Sequence, residues 1–116
     1  MLKDGIVLED NGDRVVFNQY SFCELIKHLL SYYVGVSYKE ASEIVDNSHL
    51  VEPISDAIEV GLLSHEYSYY WAMNLYYGHM YWEKGIAAQP EDLDAYFELE
   101  DEIIKEYKLN EPFEFD

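Results

Sequence analysis

Basic residues are scarce: 7 Lys plus Arg stand against 24 Asp plus Glu in 116 residues, a formal net charge of −17. So few cations cannot replace the counterions of a phosphate backbone or meet an anionic lipid surface, which argues against direct binding to nucleic acid or to a membrane. Cysteine is nearly missing as well. With Cys23 alone, an intrachain disulfide and a thiolate metal cluster are both excluded, and a reducing cytoplasm is the expected compartment. Long apolar runs are lacking. Met1 to Val7 includes Lys3 and Asp4 and does not read as a secretory signal, while Tyr67 to Trp82 is broken by Ser68, Asn74 and His79 and is too polar for a comfortable span of the bilayer.

The usual marks of enzyme chemistry are also missing. No glycine loop suited to phosphates, no Gly-x-Ser-x-Gly elbow and no dinucleotide fingerprint occurs. The four histidines, His28, His49, His65 and His79, contain no pair one helical turn apart, so no metal site is expected. His65-Glu66 begins like a metalloprotease helix, but Tyr69 stands where the second ligand should be. Cys23 falls in the first turn of an expected helix, where the dipole lowers a thiol pKa, yet no base or oxyanion motif accompanies it. No catalytic residue and no cofactor is assigned.

What the chain does have is aromatic bulk: 12 Tyr, 5 Phe and 2 Trp within a 49% apolar composition, enough burial to offset the ordering entropy of one domain spanning 1–116. The patterning predicts a mainly α, compact bundle of about four to five helices with a short amino-terminal β-hairpin. The hairpin covers about 5–18, two β-rich runs around Asn11-Gly12, a pair suited to the positive φ angles of a tight turn. Ser21-Phe22-Cys23-Glu24 has capping-box form, and Phe22, Leu25, Ile26, Leu29, Leu30 and Tyr33 then mark one face of a helix over 21–34 that Gly35 closes.

Ser37 opens a second helix over 38–46, ended by Asn47. A third is expected over 51–60, with Pro53 in its first turn and Gly61 as its breaker. Ser64 then caps a fourth over 65–77, closed by Gly78 and apolar on nearly every side, which marks it as the central helix. Pro90 starts the last, 91–107, with Leu93, Tyr96, Phe97, Ile103, Ile104 and Tyr107 inward. The tail carries Phe113 and Phe115 among acids and suits either an edge extension or a loose end.

Two features point towards function. Residues 67–82 hold six Tyr and two Trp, and tyrosine serves interfaces as readily as cores because its large ring ends in a hydroxyl. Residues 91–116 hold 11 acids against 2 lysines, with Glu98, Asp101 and Glu102 on a face of the last helix away from its apolar stripe. Such a face can steer a cationic protein, with aromatic side chains as anchors. The leading reading is therefore a small acidic inhibitor, an immunity protein or antitoxin against a basic toxin such as a nuclease. Tyr69, Tyr76, Tyr81 and Trp82 are its expected anchors, and Glu98, Asp101 and Glu102 its steering charges. Two other classes stay open: a small-molecule or enzymatic pocket around His65, Glu66, Tyr67, Tyr70, Trp71 and Trp82, and a structural subunit whose exposed tyrosines form a homodimer seam.

Overall fold

A computed structural model describes residues 2–10 and 12–115. Among them are five α-helices and a three-stranded antiparallel sheet. The strands are β1 (Ile6–Asp10), β2 (Asp13–Phe17) and β3 (Phe113–Phe115), in the order β1-β2-β3. The hairpin is present, with Asp10 opposite Asp13 at its closed end. Gly12 takes φ +87° there, a conformation that favours glycine, and its neighbour Asn11 lies outside the described residues.

Alternation along β2 sends Val15 and Phe17 inward. Phe17 stacks at 5.3 Å on Phe113 from β3, and Phe113 lies 5.3 Å from Phe22. The carboxyl-terminal segment is thus an edge strand seated on aromatic rings. Asn18 secures it: its Nδ2 donates to the Glu111 carbonyl at 2.6 Å and to Glu114 at 2.8 Å, while its Oδ1 accepts the Gly5 N–H at 2.8 Å.

That use of Asn18 changes the start of the first helix, α1 (Gln19–Val34). The helix begins two residues earlier than its capping-box signal, and Ser21 does not cap it. Instead the Tyr20 N–H donates to the Lys3 carbonyl and the Ser21 N–H to the Asp4 carboxylate at 2.9 Å, so the preceding segment satisfies the free amides. The expected apolar face is fully buried from Phe22 to Leu30, with Tyr33 half-buried at its end. Gly35 closes the helix at φ +90°, donating to the Ser31 carbonyl.

The helix at the centre is α1, which packs against α2 (Tyr38–Asp46), α4 (Ser68–Tyr77) and α5 (Leu93–Glu106). The expected central place of α4 is corrected, because only Ser68, Tyr69, Ala72 and Met73 of that helix are buried. Trp71 is half-buried, its indole N–H donating to the Leu63 carbonyl at 2.9 Å. α2 begins as expected, with Ser37 Oγ accepting the Glu40 N–H at 3.1 Å.

The third helix is shifted. His49–Val51 forms a single 3-10 turn, Pro53 lies in the loop that follows it, and α3 (Ala57–Ser64) starts where Asp56 accepts the Ile58 N–H at 2.7 Å. Gly61 sits inside α3 rather than breaking it, a helix-interior glycine being a cost of about 1 kcal/mol that the surrounding helix absorbs. Ser64 is the last residue of α3, its hydroxyl donating to the Gly61 carbonyl, so it does not cap α4. Pro90 is likewise displaced: it lies buried in the loop, and Asp92 caps α5 by accepting the Ala95 N–H at 3.1 Å.

No helix among the described residues is long and apolar enough to cross a membrane.

Candidate protein-binding face

α5 presents two different sides. Tyr96 turns inward and is 1% exposed; its hydroxyl accepts the Tyr69 N–H at 2.9 Å, capping the first turn of α4, and donates to Glu100 one helical turn later. Leu99 and Glu100, half-buried, and Ile103, buried, complete the inner stripe. Phe97 and Tyr107, expected within that stripe, are instead 44% and 48% exposed, because the stripe turns through Leu99 and Glu100. Burial is the main cause that raises the Glu100 carboxyl above its ordinary range; Glu111 and Asp101 add to this, and the Tyr96 hydrogen bond acts against it.

The outer side carries Asp94, Phe97, Glu98, Asp101 and Glu102, positions that helical spacing places together and that are all exposed. The Phe97 ring meets Tyr67, itself exposed, edge-on at 5.7 Å. The three predicted steering acids thus share a surface with two aromatic rings.

The predicted anchors divide. Tyr76 and Trp82 are 45% and 40% exposed, but the rings packed on Tyr96 and Phe97 belong to Tyr33, Tyr67 and Tyr69. Tyr69 and Tyr81 are buried and cannot be contact residues. Their hydroxyls donate to consecutive carbonyls, Tyr69 to Ala87 at 2.8 Å and Tyr81 to Ala88 at 2.6 Å, which pins the loop leading into α5. Burial also pushes the Tyr81 phenol up to about 12.

Beside this loop lies a groove of about 350 Å³, lined by Tyr32, Tyr33, Tyr69 and Tyr96 together with Glu91 and Asp92. Only the adjacent pair Tyr32-Tyr33 hints at it in the sequence, because its walls come from α1, α4, α5 and the loop before α5.

The predicted pocket is not assembled. His65 and Glu66 are exposed, whereas Tyr70 and Trp71 meet edge-on at 5.0 Å. Trp71 lines a different cavity, of about 310 Å³, with His49, Pro53, Glu59 and Leu62. Among the described residues no group of three or more His, Cys, Asp or Glu could hold a metal ion. Cys23 is buried, and loss of solvation pushes its thiol up to about 12, the reverse of the lowering expected from the helix dipole. A thiol that stays protonated is a poor nucleophile.

The chain matches no protein-family model, and no curated protein or solved structure is significantly similar to it.

Proposed function

We propose that this protein is a small acidic inhibitor that neutralises a basic protein, in the manner of an immunity protein or antitoxin facing a cationic toxin such as a nuclease. One observation carries the reading: Glu98, Asp101 and Glu102 lie exposed on the same side of α5 as Phe97, which packs on Tyr67. The carboxylates steer a cationic cleft into place and the two rings give it an apolar contact that excludes water. A nuclease cleft is built to hold phosphates, so a folded anionic surface can occupy it. The partner is a protein, neither nucleic acid nor membrane, and the cytoplasm is the proposed compartment.

Affinity capture from cells of the source organism tests this, with the wild-type chain and a Glu98→Lys/Asp101→Lys/Glu102→Lys variant run side by side. The wild type should retain a basic protein that high salt releases and that the variant does not retain. Retention of the same proteins by both baits, or of no basic protein, overturns the reading.

A second reading, self-association, is favoured by a separate patch. Ile58, Leu62 and Phe115 are 63%, 66% and 65% exposed, and Ile58 and Phe115 line one hollow of about 280 Å³. Sedimentation at two protein concentrations separates a homodimer from a monomer.

A further inference from the structure

The groove beside α5 brings together two features that α5's outer face does not combine in one concavity. Its aromatic walls stand nearly perpendicular to one another: Tyr32 to Tyr33 at 76°, Tyr33 to Tyr69 at 80° and Tyr69 to Tyr96 at 81°. Tyr69 and Tyr96 are buried at the floor of the hollow, whereas Tyr32 is 65% exposed and Tyr33 half-buried, so an entering group meets the rings of Tyr32 and Tyr33. The Tyr69 and Tyr96 hydroxyls are already committed to Ala87 and Glu100. The rim is anionic and no basic residue lines the hollow. Of the two rim acids, Asp92 accepts the Ala95 N–H, offsetting the positive end of α5, while Glu91 makes no hydrogen bond or ion pair among the described residues.

An aromatic hollow with an uncommitted carboxylate at its edge matches a cation with a flat face. A guanidinium stacks on a tyrosine ring and forks onto a carboxylate at once, whereas an ammonium is more strongly hydrated and has no plane to stack. We propose that this groove takes the guanidinium of one arginine side chain from the basic partner, stacked on Tyr32 or Tyr33 and paired with Glu91. The proposal rests on the docking reading above for the source of that arginine. It also gives the loop pins a purpose: Tyr69 and Tyr81 hold the backbone before α5 at Ala87 and Ala88, a few residues ahead of Glu91.

Titration of the isotope-labelled full chain with acetyl-arginine amide, followed by NMR, tests the groove without the partner. Acetyl-citrulline amide serves as the neutral isostere and acetyl-lysine amide as the other cation. Saturable shifts should appear in the Tyr32 and Tyr33 rings and in amides 87–95 with the arginine probe, weaker ones with lysine and none with citrulline. Glu91→Gln should weaken arginine binding about three- to fivefold, the worth of one partly exposed ion pair. Tyr33→Leu, which keeps bulk but loses the π face, should weaken it further while leaving the remaining amide spectrum in place. Shifts that never saturate, that spread over all acidic segments, or that are equal for arginine and lysine overturn the assignment. Loss of the groove alone leaves basic-protein capture dependent on Glu98, Asp101 and Glu102; a groove that binds arginine in a chain that captures no basic protein refutes the docking reading instead.

Discussion

The hydroxyl of Tyr96 lies 2.9 Å from the backbone nitrogen of Tyr69 and joins two helices through a single oxygen, accepting the Tyr69 N–H and donating to Glu100. Because both residues are buried, this bond couples the seating of the acidic helix to the first turn of α4. Tyr96→Phe keeps the ring and removes the oxygen, stranding a buried amide. A loss of about 1–3 kcal/mol in chemical denaturation is expected. An unchanged midpoint would show that the hydroxyl does not hold the helix.

Glu100 should affect stability in the opposite sense to a surface acid. Its pKa is raised on folding, chiefly by burial, so its contribution is fully present below the ordinary glutamate value and is lost as pH climbs through the raised one. Glu100→Gln is therefore expected to gain stability relative to wild type as pH rises from 4 to 7 while Tyr96 keeps an acceptor. Thermal melts of both proteins across that range check it. A stability difference that is flat with pH, or that favours the wild type more at pH 7, contradicts the assignment.

Lys27 is the buried cation of the molecule, 7% exposed, with its ammonium 2.8 Å from Glu24 and 3.2 Å from Asp46. Burial would lower its pKa, but the hydrogen bonds and charges of those two acids outweigh it and raise it. Lys27→Ala leaves Glu24 poorly solvated and uncompensated, which should cost about 3 kcal/mol, while the Lys27→Met/Glu24→Gln double variant should recover most of that loss. Equal destabilisation in single and double variants would show that packing, not charge, is at stake.

Asn18 joins Gly5, Glu111 and Glu114, so Asn18→Ala is expected to release β3 before it unfolds anything else. Hydrogen exchange should speed up at residues 113–115 while α1 from Leu25 to Leu30 stays protected. Uniform loss of protection would mean that the tail and the core unfold as one unit.

The parts of the fold legible in the sequence were those fixed by local signals. The long apolar stripe of α1 and its Gly35 stop, the Ser37 cap of α2 and the hairpin all follow from spacing or turn chemistry within a few residues. The signals that misled were local too, but overridden from a distance. Ser21 offered a capping box, yet Lys3 and Asp4 reach the free amides first. Pro53 and Pro90 looked like helix starts, and the caps proved to be Asp56 and Asp92.

The candidate site was half legible. The exposed acids follow from the α5 periodicity, whereas choosing among tyrosines depends on where a hydroxyl finds its acceptor. Tyr69 and Tyr81 read as anchors because an unsatisfied phenol suits an interface, and only the folded chain brings the Ala87 and Ala88 carbonyls to them. An inward Glu100 has a single sequence trace, the four-residue step from Tyr96.

The most direct test of the central claim is the association rate of the captured basic protein with wild type and with the Glu98→Lys/Asp101→Lys/Glu102→Lys variant, measured across a range of salt. Steered capture predicts a wild-type rate that falls steeply with ionic strength and a variant slower by about tenfold or more at low salt, the two converging at high salt. Rates that coincide at every salt concentration would contradict it and leave the acidic surface of α5 with no part in recognition.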